Sequence, residues 1–167
     1  MDRFFPLVWK QIKHRCDDSM SNAGHIKFNW QRYLILAEEL LNSIPENEDD
    51  EAKARTGISR AYYAAYHKAE SYLNKIGITI DIYQKGSHKR VIEEFSNIGQ
   101  YNKLWSGIGL SLKRLKTWRE AADYSDKFFD NIFAPSHLTM KAQLKMAIAI
   151  SHDIINRINK IEEEENL

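Results

Sequence analysis

Between residues 54 and 76 the apolar side chains Ala54, Ile58, Ala61, Tyr62, Ala65, Ala69, Tyr72, Leu73 and Ile76 recur with the period of an α-helix. A stripe of that length is too long for a strand. It requires a helix that buries one whole side against other elements. Four more segments carry helical periodicity: residues 28–43, 88–98, 137–163, and a stretch that ends near 126 and begins between 102 and 110. The 167 residues include only three prolines and seven glycines, so little interrupts these helices. The pattern predicts an all-α fold, an up-and-down antiparallel bundle of four to five main helices. The best strand candidate, Ile78 to Tyr83, is short and reads equally well as loop.

The ends of the helices carry their own signals. Gly77 suits a helix stop after residue 76. The acidic run Glu46 to Glu51 forms either a loop after Pro45 or the negatively charged first turn of the 50–76 helix. Residues 1–27 read as an N-terminal extension, with a short helix between Phe4 and Arg15. Residues 28–163 form the bundle, and 164–167 an acidic tail.

Composition excludes several classes. A net charge of +1 leaves no global signature for nucleic acid, although Lys103, Lys113, Arg114, Lys116 and Arg119 form a local basic run. Cys16 is the only cysteine, so an intramolecular disulfide is excluded and a reducing cytoplasm is the expected compartment. The sequence contains no apolar run long enough to span a membrane, and residues 1–16 do not read as a signal peptide. No His/Cys/Asp/Glu spacing reads as a metal site. Phosphate-cradling glycine loops, nucleophile elbows and zinc-protease helices are absent, and no cofactor is expected.

Arg119 is the residue out of place. Leu115, Leu112, Ile108 and Leu104 precede it at helical spacing, so it points into a stripe that is otherwise apolar. Buried charge is costly unless paired. Arg119 therefore has a partner inside the protein, or it faces a groove where a ligand or a second subunit meets it. Asp123 at i+4 is the local partner, while Tyr124 at i+5 lies well around the helix. On the 50–76 helix, Arg60, Tyr63 and His67 lie opposite the aliphatic stripe. They form either a polar groove or subunit interface, or a helix enclosed on both sides with Arg60 paired to a carboxylate. His88, between Lys85 and Arg90 at a loop-to-helix junction, suits a phosphate at a helix N-terminus.

Two stretches together, ISRAYYAAYHKAESYL (Ile58 to Leu73) and LKRLKTWREAADYSD (Leu112 to Asp126), resemble the prokaryotic HEPN domain family. The match is to the branch with an R-A-Y-Y-A-A-[FY]-H helix and an R-x-x-A-D-Y helix. KGSHKRVIEEF fits the connection between them, and FNWQRYLILAEELL fits the first family helix. The resemblance covers 28–163. It implies a helical bundle, usually a homodimer with a cleft between subunits, and often a metal-independent ribonuclease toxin of a toxin–antitoxin or phage-defence system. The implied partner is a nucleotidyltransferase antitoxin. The family's active motif is an arginine followed after four to six residues by a histidine. Arg119 matches that arginine, but Tyr124 stands where the histidine is expected. A tyrosine of ordinary pKa is a poor general base at neutral pH. Arg60 and His67 satisfy the spacing on the other helix.

Two functions follow. In the first, a dimeric protein acts on or binds RNA or nucleotide phosphates. If it cleaves, it does so by metal-independent transesterification, with Arg119 stabilising phosphorane charge and His67 or His88 carrying the proton. Arg60, Tyr63, Lys116, Asp123 and Tyr124 then line the binding site. In the second, a non-catalytic binding and dimerisation module works with a nucleotidyltransferase. A purely structural dimerising bundle is the third and blandest option.

Overall fold

In the computed structural model of the chain, the described residues are 28–46, 48–81, 84–99, 105, 107–126 and 139–165. They form five helices, α1 (Gln31–Asn42), α2 (Glu51–Lys75), α3 (Ser87–Gly99), α4 (Ile108–Tyr124) and α5 (Met140–Glu164). The all-α bundle is thus present, and no strand occurs among the described residues. Residues 78–81 of the strand candidate are irregular chain. The helix expected between Phe4 and Arg15, like the rest of residues 1–27, lies outside the described residues. No described helix is long and apolar enough to cross a membrane.

α2 is the axis of the molecule, because it packs against each of the other four helices. Its sequence explains why. Ala54, Ile58, Ala61, Tyr62, Ala65, Ala69, Tyr72 and Leu73 are fully buried on the expected stripe, and Ala64 and Tyr66 are buried outside it. The alanines remove bulk, so neighbouring helices approach closely. At one such approach Ser151 Oγ of α5 donates to the Ala61 carbonyl at 2.9 Å in the core.

Capping residues set the helix ends. Asp50 accepts the Lys53 N–H at 3.1 Å as the N-cap of α2. Its neighbour Asp49 accepts the Met140 and Lys141 N–H groups, both at 2.9 Å, at the start of α5. The acidic run therefore serves two helix N-termini, where negative charge complements the helix dipole. At the far end of α2, Gly77 takes φ 88°, and the Ile78 N–H closes back to the Leu73 carbonyl at 2.9 Å. That left-handed turn is inexpensive only for glycine.

The contacts give the direction of each helix. Trp30 on the approach to α1 stacks on His67 of α2, and α1 runs back against α2 as a hairpin. α4 is also antiparallel to α2. Trp105, just before it, packs against Tyr72, while the Ala122 carbonyl near its end receives Arg55 Nη1 at 3.0 Å. α5 runs with α2, from Asp49 at one end to Glu162 beside Lys75 at the other. Strict alternation would oppose α5 to α2. The difference arises at α3, which starts beside Tyr62 and has Phe95 beside Tyr72, so it keeps the sense of α2. α3 and α4 meet at Gly109. A Cβ there would lie 2.4 Å from Ser96 Oγ and 3.0 Å from the Ile92 carbonyl oxygen. This tight crossing sets the middle of α3, from Ile92 to Ser96, against α4.

Candidate functional site

Tyr62 organises the site. It is fully buried, and a buried phenol requires a hydrogen-bond partner. The partner comes from the first turn of α3, where His88 Nδ1 lies 2.6 Å from Tyr62 Oη. Burial pushes the Tyr62 phenol up, so it keeps its proton. Burial also pushes His88 down to about 4, helped by the positive charges of Arg119, Lys116 and His67. Both groups are therefore neutral at pH 7. Tyr62 donates to Nδ1, which leaves the imidazole proton on Nε2. The His88 ring also stacks on Tyr66, with 4.1 Å between centroids.

Arg119 lies above this pair. It is only 7% exposed, as its place on the apolar stripe of α4 predicts. Its guanidinium carbon is 5.1 Å from the Tyr63 ring centroid, 5.5 Å from Tyr62 and 5.9 Å from Tyr124. These are cation–π distances. The expected ion pair with Asp123 exists, but at 3.7 Å it exceeds hydrogen-bond length. Asp123 also receives Ser59 Oγ at 3.4 Å. Arg119 Nε is buried without a hydrogen-bond partner among the described residues. The expected separation of Tyr124 from Arg119 does not hold, because the long arginine side chain spans the angular offset and reaches the ring. Tyr124 itself is 78% exposed. Lys116, one turn earlier on α4, pairs with Glu120.

Arg60 approaches the same tyrosine from α2. Its guanidinium carbon is 5.7 Å from the Tyr63 centroid and 4.8 Å from Tyr33 of α1. α2 is thus enclosed on this side too, by α1. The cation has met rings rather than the carboxylate expected of an enclosed helix, and its buried Nε is likewise unpartnered among the described residues. Two guanidiniums therefore share Tyr63, with one loosely held carboxylate near them.

His67 is placed elsewhere. It stacks on Trp30 with centroids 3.5 Å apart, and its Nδ1 is 3.3 Å from Glu70 Oε2. Burial pulls its pKa down against the opposing effect of Glu70. Tyr66 contacts both imidazoles, His67 at 4.9 Å and His88 at 4.1 Å. The structure brings Arg119 and His88 to Tyr62, while His67 reaches the same cluster through its ring contacts with Tyr63 at 6.2 Å and with Tyr66. Lys89 and Arg90 beside His88 are engaged with Glu93 and Glu94 on the surface of α3, and Lys85 is exposed.

Sequence reasoning missed Tyr62, Tyr66, Tyr33, Trp30 and Ser59 as parts of this site. One signal was available: a tyrosine inside an apolar stripe carries a hydroxyl that must be bonded. The α1 aromatics gave none, because only tertiary packing sets them against Arg60. No group of three metal-ligating side chains occurs among the described residues. The assembled groups set two guanidiniums over phenol rings, with a neutral imidazole beside Tyr62. Compared with known protein families, curated proteins and solved structures, the chain matches none.

Proposed function

We propose that this chain is a HEPN-like bundle that binds a phosphate group of RNA or of a nucleotide at Arg119 and Arg60. The observation that carries this reading is the Arg119 side chain, 7% exposed, with a buried Nε that has no partner among the described residues and with the Asp123 carboxylate at 3.7 Å. A cation so placed is under-compensated, and an arriving anion supplies charge-assisted hydrogen bonds to it. The two stretches that carry the family resemblance support the reading, since Arg60 and Tyr63 of one and Arg119 and Tyr124 of the other contact a common set of rings. The resemblance adds a homodimer in a reducing cytoplasm and a nucleotidyltransferase partner.

Binding without cleavage is the form the geometry favours. A general base needs an accessible lone pair and a pKa near the working pH. The Nδ1 lone pair of His88 is occupied by Tyr62, and its pKa is about 4. Cleavage is the second reading, favoured by the meeting of Arg119 and His88 at Tyr62. It requires Tyr62 to release His88 when substrate enters. The 2′-hydroxyl would then give its proton to His88 as it attacks the phosphorus, and the P–O5′ bond would break with the 5′-oxygen taking a proton from water.

Incubation of total RNA and tRNA with purified protein in EDTA, wild type beside Arg119→Met, separates the forms. Arg119-dependent RNA retention without cleavage is the expected result. Fragments with 2′,3′-cyclic phosphate ends, absent in the variant, select the nuclease. Equal retention by both proteins removes Arg119 from any ligand site and returns the bundle to a structural role.

A further inference from the structure

Phe28, just before α1, lies outside the phosphate site, yet it begins an unbroken run of contacts that leads through Trp30 onto it. Phe28 meets Trp30 edge to face at 4.8 Å, and Trp30 meets Tyr33 the same way at 5.3 Å. Tyr33 lies under Arg60 at 4.8 Å, Arg60 is 5.7 Å from Tyr63, and Tyr63 is 5.1 Å from Arg119. Rings and guanidiniums thus line one path. It ends at the two buried, unpartnered Nε groups.

We propose that Phe28 and Trp30 form a base-stacking subsite, so that the ligand of this path is single-stranded nucleic acid rather than a lone phosphate. The proposal rests on the phosphate-binding reading of Arg119 and Arg60. A solitary exposed phenylalanine is ordinary on a protein surface. Phe28 is 50% exposed, and its ring packs edge to face against both Trp30 and Tyr33. Trp30 is stiffened in turn by His67, stacked 3.5 Å away. Rings next to cationic side chains are what single strands use, since every base offers a π-face while the backbone needs positive charge. An acidic peptide has charge for the guanidiniums but no planar groups for the rings. The path ends on Arg119, more than nine-tenths buried and with a donor unsatisfied among the described residues.

Calorimetric titration of the full chain with a short oligoadenylate RNA, and separately with inorganic pyrophosphate, tests this. Phe28→Ala is expected to weaken oligonucleotide binding roughly ten-fold, the effect of one lost stacking contact, and to leave pyrophosphate binding unchanged. Phe28→Trp is expected to restore the lost affinity. Arg119→Met is expected to weaken both ligands. If Phe28→Ala leaves the oligonucleotide affinity intact while Arg119→Met abolishes it, the phosphate reading stands and the stacking subsite does not. If Phe28→Ala weakens both ligands equally, the aromatic corner only supports the fold and the proposal is overturned. If wild-type protein binds neither ligand, both readings fall together.

Discussion

The ends of α2 and its middle treat charge in opposite ways. In the C-terminal half every cation facing α5 has a carboxylate. Lys68 reaches Glu162 at 2.6 Å, Lys75 reaches the same side chain at 3.3 Å, and the Tyr72 hydroxyl donates to Glu165 at 2.7 Å. Burial alone would raise Glu162, but the hydrogen bonds and charges of Lys68 and Lys75 outweigh it and hold the carboxyl below its usual range. In the N-terminal half Arg55 is equally well served, by Glu51 and by the Ala122 and Ser125 carbonyls at the end of α4. A few residues on, Arg60 and Arg119 lie on rings, with buried Nε groups and only Asp123 at 3.7 Å. The bundle completes the pairs that hold it together. The incomplete pairing at Arg60 and Arg119 is the feature on which the proposed ligand site rests, because a buried cation without full compensation is costly.

The contrast breaks first at Arg119. Arg119→Met keeps the side-chain bulk and removes the charge. Affinity for pyrophosphate or RNA is expected to fall about a hundred-fold, the effect of losing a buried charged donor, with little change in urea unfolding. Calorimetry beside a denaturation curve reads both, and a large stability loss with unchanged affinity would make Arg119 structural. Glu162→Ala is the converse. It leaves two lysines unpaired, so stability is expected to drop by about 2 kcal/mol while ligand affinity stays the same.

The next effect is smaller and depends on pH. His88 in the folded chain titrates at about 4, below its ordinary 6.5. The unfolded chain therefore binds an extra proton between those values. The contribution of His88 to stability is complete above pH 6.5 and is lost as pH falls through 4, on the order of 1–2 kcal/mol. His67, lowered by burial, acts in the same direction. Urea midpoints measured across this range should fall less steeply for His88→Gln. A parallel fall in both proteins would place His88 in an ordinary solvated setting. The smallest effect is at Asp49, whose carboxylate caps α5 without touching either charged face. Asp49→Ala is expected to cost about 1 kcal/mol and leave binding unchanged, as judged by thermal melting beside the same titrations.

Local periodicity was enough to place the five helices within a few residues, since each stripe of buried side chains is written in consecutive turns of one segment. α2 was anticipated at 50–76 and spans Glu51–Lys75, and the α5 segment was anticipated at 137–163 and spans Met140–Glu164. Arg119 could also be singled out, because its anomaly is local: a charge in an apolar stripe of its own helix. The role of its neighbours could not. Tyr62 counts as apolar in a pattern, yet its hydroxyl joins α2 to α3 through His88. His67 and His88 look alike in the sequence. One is committed to Trp30 and Glu70, the other to Tyr62 beneath Arg119.

The chain by itself thus determined the helices and the one arginine that does not belong to a core. Tertiary structure alone decided that α3 keeps the sense of α2, that two arginines share Tyr63, and that α1 contributes Trp30 and Tyr33 to the site. The physical reason is range. Helical periodicity is set by residues three and four positions apart, whereas a cation's partner or a phenol's acceptor is whatever the packed neighbour presents across the bundle.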